Sequence, residues 1–226
     1  MSRLMDEPFG SLPTPPRPDE LFGSRTEAFA LVVSGPSGVG KTSICKTVIE
    51  RDQRIKPIVT ITTRPQRKGE EDGVDYHFLS ESQFDTLLSE GAFLEHAIVH
   101  DSRYGTTKAA LATAIETADI VLLDVDVQGA AAWRGVLADR CVTLFVLPPS
   151  LQELRKRLAG RQSEGEASLK VRTNNAQHEM AFAATYDYVI VNHKLVQAID
   201  DIESVLLTER SRPSRQRTLL DSLHIE

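Results

Sequence analysis

The sequence predicts an α/β fold in which helices cover both faces of a parallel sheet. Three observations carry that prediction. Strand-like and helix-like stretches alternate along the chain. The apolar run Phe29 to Val33 leads directly into Gly35-Pro36-Ser37-Gly38-Val39-Gly40-Lys41-Thr42, so a buried strand feeds a glycine-rich turn and then a helix. Ile120-Val121-Leu122-Leu123-Asp124-Val125-Asp126 is nearly all apolar until it ends in carboxylates. That is the pattern of a central strand buried on both faces, with its carboxyl end where ligands sit in open α/β sheets.

The elements follow in order. Met1 to about Arg25 is rich in proline and lacks periodicity, which predicts a disordered extension over 1–25. Ile44, Val48 and Ile49 suit the helix after the glycine-rich turn. Ile58-Val59-Thr60-Ile61-Thr62-Thr63 is β-branched and strand-like. Turns occupy Arg64 to Gly73, and alternation resumes at Val74, Tyr76 and Phe78. Ser80 and Gln83 have the spacing of a capping box ahead of a short helix with Phe84, Leu87 and Leu88 on its buried face. A strand is expected over 92–99, a loop over 100–107, and a helix carrying Leu111, Ala114, Ile115 and Ala118. After the central strand come a helix over 128–138, a strand over 142–147, and a helix opened by Ser150 and Glu153. From 160 to 183 the chain is polar, with helical propensity but a thin apolar stripe. A strand over 188–191, a helix over 195–209 and an arginine-rich tail over 209–226 complete the chain.

Composition narrows the classes of function. The 226 residues fit one domain or a core with inserted subdomains, their 41% hydrophobic content is enough for a real core, and the net charge of −6 argues against a general nucleic-acid binder. No apolar stretch approaches the length that spans a bilayer, and the N-terminal residues lack a signal-peptide pattern. Cys45 and Cys141 are far apart, without metal-binding spacing, and read as buried free thiols in a reducing compartment. The expectation is a cytoplasmic protein without nucleic-acid or membrane partners.

The glycine-rich turn is a phosphate-binding loop, Gly-x-x-x-x-Gly-Lys-Thr. Its glycines let the backbone approach an anion, and successive N–H groups and the helix N-terminus point at phosphate oxygens. Gly35, Pro36, Ser37, Gly38, Val39, Gly40, Lys41 and Thr42 form the expected ATP site, with Lys41 reaching the β- and γ-phosphates and the Thr42 hydroxyl available to Mg²⁺.

Eight segments in order resemble the guanylate kinase family of P-loop nucleoside monophosphate kinases. They are Ser34–Thr42, Thr62–Arg67, Gly73–Phe78, Phe93–His96, Tyr104–Thr106, Leu123–Gly129, Leu147–Ser150 and Tyr186–Asn192. The resemblance covers about 30–208. It implies a P-loop kinase core (26–59, 108–159 and 184–208), a small GMP-binding subdomain (60–107) and a mobile helical lid (160–183). It also implies transfer of the ATP γ-phosphoryl to GMP or dGMP with Mg²⁺. Arg64 and Arg67 then suit a dianionic phosphate as planar forks, joined by Tyr76, Tyr104 and Thr60. Glu95 is the expected acceptor for the paired N1–H and 2-amino donors of guanine, Thr106 the partner of its O6, and Asp126 a further base-side group. Asp124 resembles the acid that holds Mg²⁺ through water, Arg161 and Arg172 the lid arginines, and Asn192 a residue near the adenine. Thr60 stands where the family commonly has Ser, Val171-Arg172 where it has paired arginines, and Pro65-Gln66-Arg67 departs from its usual order.

Two rival readings carry their own discriminators. A P-loop kinase for a ribose phosphate would need neither Glu95 nor Thr106. A non-catalytic interaction module would be expected to lose the glycine-rich loop or its lysine, and both are intact here.

Overall fold

The computed structural model describes residues 21–22, 25, 27–99, 101–159 and 166–224. In chain order the elements are β1 (Phe29–Ser34), α1 (Lys41–Arg51), β2 (Ile55–Pro57), β3 (Ile61–Thr62), β4 (His77–Phe78), α2 (Glu81–Ser89), β5 (Phe93–Val99), β6 (Ser102–Thr107), α3 (Lys108–Thr117), β7 (Ile120–Asp124), α4 (Val127–Leu137), β8 (Cys141–Leu147), α5 (Leu151–Ala159), α6 (Glu166–Met180), β9 (Tyr188–Val191), α7 (Leu195–Arg210) and α8 (Arg217–Ser222).

The central sheet has the order β2-β7-β1-β8-β9, and each pair is parallel. Alternation along β1 divides the core. Phe29, Leu31 and Val33 face Ile44 and Val48 of α1 and Ala198, Ile199 and Ile202 of α7. Ala30 and Val32 face Leu111 and Ile115 of α3 and Ala130, Trp133 and Leu137 of α4. Both faces of β1 are therefore apolar, which is why the strand reads as a continuous run and not as an alternation.

A second sheet, in the order β4-β3-β6-β5, pairs β3 with β4 in parallel and β6 antiparallel to β3 and β5. Helix α2 covers its outer face through Phe84, with Leu87 and Leu88 partly buried against Ile61 and Phe93. Ser80 caps α2 with both halves of the capping box in place. Between Phe93 and Glu95 the β5–β6 register shifts. The shift turns Phe93 outward to stack on Phe84 at 4.5 Å, while Leu94 enters the core beside Trp133 and Glu95 faces the space between the sheets.

Several expectations are corrected. The strand expected over 58–63 is shortened to Ile61–Thr62, which joins the second sheet, and β2 lies before it at Ile55–Pro57. The loop over 100–107 is largely β6, whose pairing with β5 compensates for a segment with little apolar alternation. Alternation from Val74 yields only His77–Phe78 as strand, and Val74 is exposed. Residues 1–20 of the extension expected over 1–25 lie outside the described residues, and its described residues Phe22 and Arg25 are docked on the core. Phe22 is buried beneath the Arg140 guanidinium, and Arg25 donates to the last carbonyls of α3 and pairs with Asp119 at 2.6 Å. The arginine-rich tail is also docked in part: Arg215 is buried over the Phe29 ring and pairs with the fully buried Glu209. Tyr188 Oη and Arg212 donate to the same Glu209. That buried charge is matched by donors on every side, which is what keeps it affordable in a core.

Cys45 and Cys141 are free and buried, and burial pushes both thiols up. No helix among the described residues is long and apolar enough to cross a membrane.

Candidate active site

A cleft of about 310 Å³ opens between the carboxyl ends of β1 and β7 and the inner face of the second sheet. The P-loop forms one wall. Its glycines are required by position: Gly35 has φ 149°, and a Cβ there would stand 2.4 Å from the Val146 carbonyl oxygen. Gly40 caps α1 at φ 104°, where a side chain would strike the Asn192 amide. Lys41 Nζ donates to the Gly35 carbonyl at 2.6 Å and lies 3.9 Å from Asp124 Oδ1. Thr42 Oγ1 is 3.5 Å from Asp124 Oδ2. Protein atoms crowd Asp124 and push its carboxyl up, against the pull of Lys41, although a third of its side chain opens into the cleft.

Asp126 follows at the N-terminus of α4, where its Oδ1 accepts from the Gly129 N–H at 2.8 Å. The opposite wall brings Thr60, Arg67, Tyr76, Glu95, Ala97 and Tyr104 to the same space. Tyr76 packs edge-on against Tyr104, and burial pushes its hydroxyl up to about 12. Glu95 is 6% exposed. Burial pushes its carboxyl up to about 7, Thr106 holds it down, and Asp126 pushes it up.

Four expected site residues sit elsewhere, and one of them, Val39 of the P-loop, is fully buried in the core cluster with Ile44 and Val48. Thr106 is fully buried behind the wall and donates through Oγ1 to Glu95 Oε1 at 2.9 Å. Asn192 is buried and donates to the Val39 carbonyl at 2.8 Å, so its amide braces the P-loop from outside the cleft. Arg64 does not line the cleft. Its Nη2 donates to both oxygens of Glu70, at 2.8 and 3.0 Å, and its guanidinium packs near Tyr76 and Phe78. Arg172 of α6 approaches Ser37 Oγ at 3.4 Å, and Glu179 from the same helix reaches the cleft. Arg161 lies outside the described residues.

Glu70 and Glu179 escaped sequence reasoning. A signal existed for Glu70, since Glu70-Glu71-Asp72 follows a cluster of basic residues. Glu179 left none, because only the path of α6 brings it over the cleft.

Comparison with known proteins identifies the family. The guanylate kinase family profile matches residues 27–209. A guanylate kinase of Syntrophotalea carbinolica is 44% identical over 187 residues, covering 83% of this chain and 89% of that protein. One from Clostridioides difficile is 41% identical over 190 residues, covering 84% and 92%. The crystal structure of guanylate kinase from Anaplasma phagocytophilum aligns with a TM-score of 0.72 at 32% identity, over 89% of this chain and 97% of that one. A phosphate-binding loop facing a buried carboxylate, in a chain that the family profile matches over 27–209 and these relatives match over more than four fifths of its length, means that the chain belongs to the guanylate kinase family.

Proposed function

We propose that the cleft transfers the γ-phosphoryl of ATP to GMP, giving ADP and GDP. The observation that carries this reading is the pairing of two recognition chemistries across one space. The P-loop with Lys41 suits a polyphosphate, and the Glu95 carboxylate suits a base that offers two adjacent donors. Guanine presents N1–H and a 2-amino group side by side. Adenine presents neither and would leave a buried carboxylate unpaired.

Phosphoryl transfer requires alignment and charge neutralisation more than covalent participation. Lys41 neutralises the donor phosphates. Arg67, Tyr76 and Tyr104 hold the acceptor phosphate, and Glu95 fixes the base so that the acceptor oxygen points along the line of transfer. Arg64 joins the acceptor phosphate if it exchanges Glu70 for the stronger dianion. Arg172 approaches from α6, next to the P-loop, where it can meet the phosphoryl in transit.

The donor set also fits a hard divalent cation. Thr42 and Asp124 offer oxygens beside the P-loop, and the crowding that pushes the Asp124 carboxyl up would be relieved by positive charge. Magnesium bound there with ATP would draw charge from the β- and γ-phosphates. With two protein oxygens on offer, such a cation would be held largely by nucleotide and water. The expected cytoplasmic location is retained as part of this reading.

The test is a coupled ADP-release assay across GMP, dGMP, AMP, UMP and a ribose phosphate. Turnover with GMP and dGMP above the rest is expected. Preference for the ribose phosphate would replace the reading with its rival, and no turnover at all would favour an interaction module.

The division into core, GMP-binding subdomain and lid is part of the same proposal. Helix α6 is attached to α5 mainly through Leu169 and Ala176 against Leu154 and Leu158, and Val171 on it is exposed. Such a thin apolar seam opens at low cost. Backbone hydrogen exchange over 166–180 is expected to slow when both nucleotides bind. Equal exchange with and without them would remove α6 from the lid role.

A further inference from the structure

Trp133, the only tryptophan of the chain, is fully buried on α4. Its indole N–H nevertheless has no hydrogen-bond partner among the described residues. A buried donor left unpaired is costly and rare, and a phenyl ring would fill most of the same space without that cost. The indole shares its core cluster with Leu94, which precedes Glu95 on β5. It lies near enough to the Glu95 carboxylate to favour the charged form.

We propose, on the reading that Glu95 accepts the two guanine donors, that Trp133 is a positioning residue for the base, and that its indole N–H closes onto the Glu95 carboxylate when GMP binds. A carboxylate has about four lone-pair positions. Thr106 occupies one on Oε1, the base takes one on each oxygen, and a rear position remains for the indole. The carboxylate is then held from behind by two donors and presents both oxygens forward. Asp126, at the start of α4, opposes the charge on Glu95. Lys41, Arg67, Tyr76, Tyr104, Asp124 and Glu179 line the same cleft. All of these are unchanged by substitution at 133, so an effect on the ionisation of Glu95 isolates the indole.

The test uses the intact protein and two variants. With a single tryptophan, a ¹H–¹⁵N spectrum contains one indole cross-peak. That peak is expected to move downfield on addition of GMP and not of ATP alone. Trp133→Phe is expected to raise the GMP KM about three- to tenfold near pH 7 and to shift the acid loss of GMP affinity to higher pH, with the ATP KM unchanged. A space-filling role would alter thermal stability and leave the pH profile where it was. An indole peak unmoved by GMP overturns the proposal even if Trp133→Phe fails to fold, as does a parental pH profile in a folded Trp133→Phe. Glu95→Gln, measured in parallel, separates the failures. If it loses GMP affinity while Trp133→Phe does not, only the role of Trp133 falls. If Glu95→Gln binds GMP like the parent, the reading beneath falls with it.

Discussion

Lys41→Ala is expected to lose turnover by about 10²–10³-fold or more while the protein remains folded. The magnitude follows from removing one preorganised charged donor from a site where phosphoryl charge is in motion. The selectivity of the effect follows from the structure. Lys41 Nζ makes one short contact, to the Gly35 carbonyl at the cleft wall, and its side chain contributes nothing to the apolar core, which α1 joins through Ile44, Cys45 and Val48. The freed carbonyl faces the cleft, where water can replace the ammonium. Circular dichroism and a thermal melt should therefore match the parent, and the loss should lie mainly in kcat. A folded Lys41→Ala protein that retains substantial turnover would remove Lys41 from the mechanism.

The P-loop was legible because its chemistry is local. Glycines needed for backbone shape, a lysine and a threonine are adjacent in sequence, and the strand before them is apolar on both faces. The central strand β7, the capping box of α2 and the short strand β9 were legible for the same reason. Strand β6 was not, because Ser102 to Thr107 has no apolar alternation. It is a strand because β5 and β3 flank it, and its residues are chosen for what they do: Thr106 holds Glu95 and Tyr104 lines the cleft.

Long-range pairing explains the other differences. Arg215 reads as one more charge in a basic tail until Glu209 and the ring of Phe29 surround it. Phe22 and Arg25 read as the end of a proline-rich segment until Arg140 and the end of α3 receive them. Arg64 was expected on the acceptor phosphate and is paired with Glu70, six residues away, because a part-buried guanidinium is stabilised by a counter-charge within reach. Asn192 was expected at the adenine, and its amide is committed to Val39. The motifs identified most residues of the cleft but not Glu179, and only the fold decides which of them face it and which support the ones that do.

Glu95→Gln is expected to weaken GMP binding by about ten- to a hundredfold, the cost of roughly 1.5–3 kcal/mol for a lost partner of a charged group. Thr106 donates to Oε1, so the amide oxygen of the variant is held there and its NH₂ group meets a guanine donor. The loss should appear in the GMP KM far more than in kcat, because the contact is remote from the moving phosphoryl. The ATP KM should hardly change, and discrimination against AMP should shrink. The pH dependence supplies an independent check. Burial pushes the Glu95 carboxyl up to about 7, and guanine requires the ionised form. GMP affinity in the parent should then be constant above that pH and fall about tenfold per unit below it. The same shift makes the folded protein bind this proton more tightly than the unfolded chain, so the contribution of Glu95 to stability falls as pH climbs from the ordinary 4.5 toward 7. Glutamine does not titrate, so the variant should lose the acid-side fall in GMP affinity as well as the affinity itself. Isothermal titration with GMP between pH 5.5 and 8.5 measures both. A variant that binds GMP as the parent does, with the same pH profile, would mean that Glu95 does not read the base, and the ribose-phosphate reading would then take its place.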